Sequence, residues 1–360
     1  MTVDLPPAPP AAEQPAPPAA TIFFGGVDQP PRALRDLLLA RVQAAPAGSE
    51  IAWATYYLRD PELADALVAA KRRGVRVRVV IEETPRRRNG NEAVISQLQA
   101  GLGDDLRVHR GLLPGAHLHA KIYTFTGPDP QALIGSFNPT ISADDDPQFI
   151  RKIGDQDRGE NLLVDYRDPA VVKALRKQAL RLWSGKSSSP FSRFQNPKKR
   201  LPELTLFYYP RFRPGVVDKR IRKLGPGDTV RAAISHMDRG PFSQQLAEAA
   251  QRGAKIEVNV DDTRRRVPDN VVVELENAGV EIRRFCDADR LPMHAKFVIV
   301  DRKDERAAWF GSFNYNFGSR YLNQEVLART TNAELIGRFE DRFQLLADEA
   351  GRRTCVRGKS

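Results

Sequence analysis

The chain has 360 residues, of which 41% are hydrophobic and 28% charged. That is ordinary globular usage, and it excludes a wholly disordered protein, a collagen or a disulfide scaffold. An excess of eleven positive charges favours anionic partners: phosphodiesters, nucleic acid or acidic lipid surfaces.

Residues 1–20 hold seven of the 27 prolines and no Lys or Arg. Such a segment cannot bury enough apolar surface to offset its ordering entropy, and it reads as a Pro-rich disordered tail. It lacks the basic and apolar regions of a secretory signal, and no later run approaches the roughly 18 apolar residues of a membrane span. A soluble, cytoplasmic protein is expected, export without a leader aside.

From Thr21 onward the chain is written twice. Thr21–Phe24 answers Thr205–Tyr208, and helical stretches follow at Arg32–Gln43 and Val216–Leu224. Strands are predicted at Glu50–Tyr56 and Asp228–His236, then helices that end near Gly74 and Gly253, then strands at Val75–Glu82 and Ala254–Asp261. Each of these opens into an Arg-rich loop, Arg86–Arg88 or Arg264–Arg266, read as a substrate-facing basic rim. A further helix leads to short strands near Leu106–His109 and Val280–Arg284. Ser184–Arg200 between the copies has five basic and no acidic residues and reads as a linker. The predicted units are lobes at 21–184 and 204–350, a basic linker at 185–203 and a basic tail at 351–360. Strands alternating with helices predict an α/β fold of two pseudo-symmetric lobes. Each lobe is a mixed, mainly parallel sheet flanked by helices, with the site between lobes where strands end. Cys286 and Cys355 are too few for a disulfide framework or a four-ligand zinc site and read as free thiols.

The repeat peaks at two motifs. The first copy reads His119-Ala-Lys121 with Thr126 five residues on, then Gly135-Ser136-Phe137-Asn138. The second reads His294-Ala-Lys296 with Asp301, then Gly311-Ser312-Phe313-Asn314. On a strand each His and Lys share a face. A carboxylate follows in each half, Glu160 and Glu325, both expected to begin a strand beside the His strand. Two lysines and two amides around one pocket would stabilise charge on the equatorial oxygens of a phosphoryl transition state. One imidazole can attack phosphorus while the other handles protons. Tyr56 and His236 follow equivalent strands and are expected to contact substrate. His109 and His117 carry no role in this reading: a strand-end residue and a pocket wall.

The paired pattern resembles the phospholipase D superfamily, marked by two HxKxxxxD motifs each followed by a Gly-Ser-x-Asn element. The likeness covers residue 21 to about 350 and departs only at Thr126, where a supporting hydrogen bond is expected to be missing. It implies His119 as nucleophile and His294 as general acid/base. It places Lys121, Lys296, Asn138 and Asn314 on the phosphoryl oxygens, helped by Ser136 and Ser312, and counts Asp301 with the substrate-binding set. Glu160 and Glu325 would orient the imidazoles. No metal and no cofactor are implied, and a monomer with an internal pseudo-dimer is expected. Two motifs in one chain suit the lipid-cleaving members, which hydrolyse or transfer a phospholipid head group in peripheral contact with membrane. A nuclease is the alternative, on the charge and the Arg-rich loops, and a non-catalytic phosphodiester-binding member ranks below it.

Overall fold

The computed structural model describes residues 18–85, 90–111, 113–140, 159–186, 196–285 and 291–352. The tail at 1–17, Arg86–Arg88, Cys286, Cys355 and residues 187–195 of the linker lie outside the described residues.

The first half lays down β1 (Ala20–Phe24), α1 (Ala33–Ala44), β2 (Glu50–Thr55), α2 (Pro61–Arg72), β3 (Arg76–Glu82), α3 (Glu92–Leu102) and β4 (Leu106–His109). It closes with β5 (Ile122–Thr126), β6 (Gln131–Gly135), β7 (Leu162–Tyr166) and α4 (Pro169–Trp183). The second half repeats the plan after an added edge strand, β8 (Lys198–Leu201): β9 (Leu204–Tyr209), α5 (Val216–Ile221), β10 (Thr229–Ile234), α6 (Pro241–Gln251), β11 (Lys255–Asp261), α7 (Asp269–Asn277) and β12 (Glu281–Phe285). It ends with β13 (Lys296–Arg302), β14 (Glu305–Gly311), β15 (Glu325–Thr330) and α8 (Ala333–Arg352). Local chemistry sets several boundaries. Asp60 and Asp168 accept hydrogen bonds from the first-turn amides of α2 and α4, and a proline follows each cap.

The sheets run β1-β7-β6-β5-β2-β3-β4 and β12-β11-β10-β13-β14-β15-β9-β8, the same order twice with β8 added. Both are mixed, but the expected parallel majority is absent. Only β2–β3, β3–β4, β10–β11 and β11–β12 are parallel. Parallel pairing needs a crossover of a dozen or more residues. The helices α2, α3, α6 and α7 supply it, whereas four residues join β5 to β6 and two join β13 to β14, which enforces hairpins.

Three hydrophobic cores result. The central one lies between the sheets and holds the buried faces of α4 and α8 together with residues from both sheets. The outer two sit beneath the crossover helices of each half. The lobes therefore share a core. Among the described residues, no helix is long and apolar enough to cross a membrane.

Candidate active site

The segments leading into β5 and β13 carry the histidines, and each pairs with the other lobe. His119 donates its backbone N–H to Gln324 O (2.9 Å), and Gln324 donates to His117 O (2.8 Å). His294 donates likewise to Glu160 O (2.8 Å), and Glu160 to Pro292 O (3.2 Å). These two bridges, related by the internal repeat, bring both imidazoles to the seam. The charge of Lys121 acts on His294 and Lys296, and that of Lys296 on His119, so the two His–Lys pairs lie near one another across the seam.

The rings are held differently. His119 Nδ1 lies 3.0 Å from Glu325 Oε2, across the lobe boundary. Glu325 also accepts from Ser312 (2.5 Å) and Ser319 (2.6 Å). Burial raises the Glu325 carboxyl, but His119, Lys121 and Ser312 together outweigh this and leave it below the ordinary range. His294 Nδ1 lies 2.9 Å from Asn161 Oδ1, not from Glu160. Glu160 instead binds Arg342 and accepts from Val27 N (3.0 Å). The expectation failed by one residue of register. Ser136 N bonds Leu162 O and Ser312 N bonds Val326 O, which makes Asn161 the counterpart of Glu325 and Glu160 that of Gln324. A one-residue slip turns a side chain to the other face. Nor do β7 and β15 flank the His strands, because β6 and β14 intervene.

Ser136 and Ser312 are fully buried and bond Asn161 and Glu325, so their hydroxyls brace the acceptors of the two imidazoles. Asp301 is also misplaced. It stands five residues beyond Lys296 on β13, about 17 Å away, and pairs with Arg306 at 3.6 Å. Thr126 occupies the matching far end, opposite Glu50, and its hydroxyl lies 3.4 Å from Glu50 O. The departure from the motif lies outside the pocket.

Burial drives Lys121 down to about 7, against the pull of Glu325, and His119 to about 4. His294 and Lys296 are likewise lowered, first by burial and then by neighbouring cations. Each lysine turns back to its own histidine's carbonyl, at 2.7 and 2.6 Å. The Tyr56 ring lies 4.9 Å from that of His119 and 5.2 Å from Lys121 Nζ. His236 Nδ1 lies 3.0 Å from Ser235 Oγ, and its charge acts on His294. Asn138 Oδ1 accepts from Tyr57 N at 3.3 Å, and Asn314 Oδ1 is buried with no hydrogen-bond partner among the described residues.

Besides Asn161, the sequence reading assigned no role to Glu82 or Asp261, and it placed Arg266 only in a basic rim. Arg266, the one described arginine of its loop to turn inward, bonds Asp261 at 2.7 Å, and its charge reaches His294 and Lys296. Glu82, the counterpart of Asp261, sits 3.1 Å from His109 Nδ1 and 3.4 Å from His117 Nδ1 and accepts from Leu118 N at 2.7 Å. Burial would raise this carboxyl, but those bonds bring it to about 2. Glu82 thereby pins the residue preceding His119. Among the described residues, no group of three His, Cys, Asp or Glu forms a metal cage.

The family model for the PLD-like domain of cardiolipin synthase matches residues 40–183 and 224–347. No curated protein sequence matches the chain. Among solved structures, phosphatidylserine synthase from Haemophilus influenzae superposes with a TM-score of 0.61 at 15% identity, over 91% of this chain and 86% of that one. Polyphosphate kinase from Porphyromonas gingivalis gives 0.60 at 15% identity over 95% of this chain, which spans only 52% of that protein. Yeast tyrosyl-DNA phosphodiesterase gives 0.51 at 11% identity, over 87% and 90%. At these identities the likeness is one of fold.

Proposed function

The chain belongs to the phospholipase D superfamily, and from that premise we propose that it cleaves or transfers a phospholipid head group through a covalent phosphohistidine. The observation that carries this reading is the approach of two His–Lys pairs, one from each lobe, close enough across the seam for the charge of one to act on the other. Lys121 and Lys296, both lowered by burial, gain protons when a phosphodiester charge arrives, beside Arg266 already paired with Asp261. The lipid class is favoured by the family model and by the fold shared with phosphatidylserine synthase.

The unequal acceptors support the division of labour. His119, paired with a carboxylate, can carry the positive charge its ring acquires when Nε2 bonds to phosphorus. His294, paired with a neutral amide, more readily gives its Nε2 proton to the departing alkoxide. In the second step water or an acceptor alcohol attacks phosphorus. His294 removes its proton, the P–N bond breaks, and His119 is restored. The lysines and the amides of Asn138 and Asn314 hold the phosphoryl oxygens throughout.

Purified protein with EDTA present would be offered phosphatidylcholine or phosphatidylglycerol vesicles and, separately, plasmid and single-stranded DNA. Release of head group or phosphatidic acid is expected, lost in both His119→Ala and His294→Ala. Wild-type turnover in either variant overturns the assignment. Nicked DNA without lipid cleavage moves the substrate to nucleic acid, a reading the eleven excess positive charges favour.

A further inference from the structure

On the outer face of the C-terminal sheet a cavity of about 480 Å³ opens between α5 and strands β14 and β15. Lys219, Arg220, Arg222 and Lys223 line it from α5 and the turn that follows, Arg329 from β15 and Trp309 from β14. Arg329 stands four residues along β15 from Glu325, about 13 Å of extended chain. Trp309 belongs to the outer core, not the central one. The cavity is thus separate from the imidazole pocket.

Its two arginines share one close carboxylate. Arg220 and Arg329 both pair with Glu305, Asp304 lies 3.8 Å from Arg220, the charge of Asp228 also acts on Arg220, and Arg329 lies 5.6 Å over the Trp309 ring. Arg220 Nε is buried without a hydrogen-bond partner among the described residues. Burial lowers both guanidiniums, and the charge of Arg220 lowers Arg329 further.

The N-terminal lobe shows the same place in a neutral form. Matching the strand registers puts Leu133 at the position of Trp309 and Asp165 at that of Arg329. Asp165 pairs with Arg41 of α1 at 3.4 Å. One acid-to-base exchange between the repeats has turned an internal ion pair into two neighbouring guanidiniums. Like charges at a partly desolvated place repel, and a bound anion relieves them. Paired arginines suit the oxygens of a phosphate, which they can bind through two parallel hydrogen bonds.

We propose that this cavity is a second anion site, taking a phosphate group on a small phosphorylated molecule or an anionic lipid head group. Arg220 and Arg329 grip its oxygens, and Lys219, Arg222 and Lys223 form the charged rim. It requires no chemistry from the imidazole pocket.

The test uses the full chain carrying Lys121→Met and Lys296→Met, which removes the lysines of the catalytic pocket. Inorganic phosphate and pyrophosphate are titrated by calorimetry, and vesicles with and without phosphatidic acid by sedimentation. Saturable binding is expected in at least one arm, weakened tenfold or more by Arg329→Asp, which rebuilds the N-terminal lobe's neutral pairing. Because that change sits beside Glu305, a Lys219→Ser/Arg222→Ser variant on exposed positions serves as a second probe, with a threefold or larger loss expected. Small-anion binding assigns the site to a free phosphate ester, and binding confined to phosphatidic acid vesicles assigns it to a head group. No binding in either arm, binding indifferent to both sets of substitutions, or retention by DNA alone overturns the proposal.

Discussion

Asn161 and Glu325 occupy equivalent places in the repeat, yet one is neutral and the other charged. The proposed roles of the histidines depend on that difference. Asn161→Asp would give His294 a carboxylate partner, favour its protonated form and shift to higher pH the alkaline limb of the cleavage step, which His294 must enter protonated. Asn161→Leu removes the acceptor for Nδ1–H and frees the tautomer. A loss of about 10² in kcat is expected, within the range that a positioned acid–base group contributes. Near-equal pH profiles for wild type and Asn161→Asp would show that the amide has no such role. Lys121 permits a second prediction. Held at about 7 by burial, it is mostly neutral at pH 8, and an anion placed beside it raises it. Binding of a singly charged phosphonate monoester at pH 8 should therefore take up a proton, and less of one at pH 6, where the amine is already charged. Calorimetry in buffers of different ionisation enthalpy measures this directly, and equal uptake at both pH values would count against it.

At the scale of elements, the Gly-Ser turns explain why the two copies keep glycine where β6 and β14 end. A Cβ on Gly311, whose φ is +141°, would stand 2.3 Å from Val326 O, and one on Gly135 would stand 2.1 Å from Leu162 O. Those carbonyls accept the amides of Ser136 and Ser312, so a methyl group there would push apart the strands that carry Asn161 and Glu325. Gly311→Ala is expected to cost about 1–3 kcal/mol in urea unfolding, as over-packing does. It should also weaken turnover more than its stability loss explains. The crossover elements were legible in the sequence because hydrophobic spacing changes from helix to strand at Gly74 and Gly253, and β3, β11 and β4 fall where the pattern puts them. Strand direction was not legible, since the apolar runs of a buried strand look alike in either sense. The acceptor of His294 was missed for a related reason. Matching Glu160 to Glu325 by residue type overrode the alignment of the apolar runs Leu162–Val164 and Val326–Ala328, which places Asn161 opposite Glu325. Residues 198–201, read as linker from their charge, form the edge strand β8 against β9, where lysines commonly guard an exposed edge.

Across the whole molecule, the lobes are joined by more than their shared core. Arg342 of α8 enters the N-terminal half, bonds Glu160, Asp28 and the carbonyl of Gly25, and lies 4.9 Å over the Phe24 ring. Arg342 and Glu160 are each only 2% exposed. Burial lifts the Glu160 carboxyl above its ordinary range even with Arg342 beside it, so the pair is closely balanced. The backbone carbonyl of Glu160 is also the acceptor for His294 N–H, so the clamp and the second imidazole share one residue. Removing one partner of a buried pair leaves the other charge uncompensated, at about 3–5 kcal/mol, whereas removing both leaves only the packing defect. Arg342→Met should therefore lower the unfolding free energy by about that amount, and Glu160→Gln added to it should recover part of the loss. The cycle is read from urea midpoints of all four proteins. A single-variant loss under about 1 kcal/mol, or strict additivity of the two substitutions, would mean that the Arg342–Glu160 pair does not hold the halves together. If the coupling is found, a lipid-vesicle assay on Arg342→Met extends the test to His294. Turnover should fall while phosphonate affinity, which depends on the lysines, changes little.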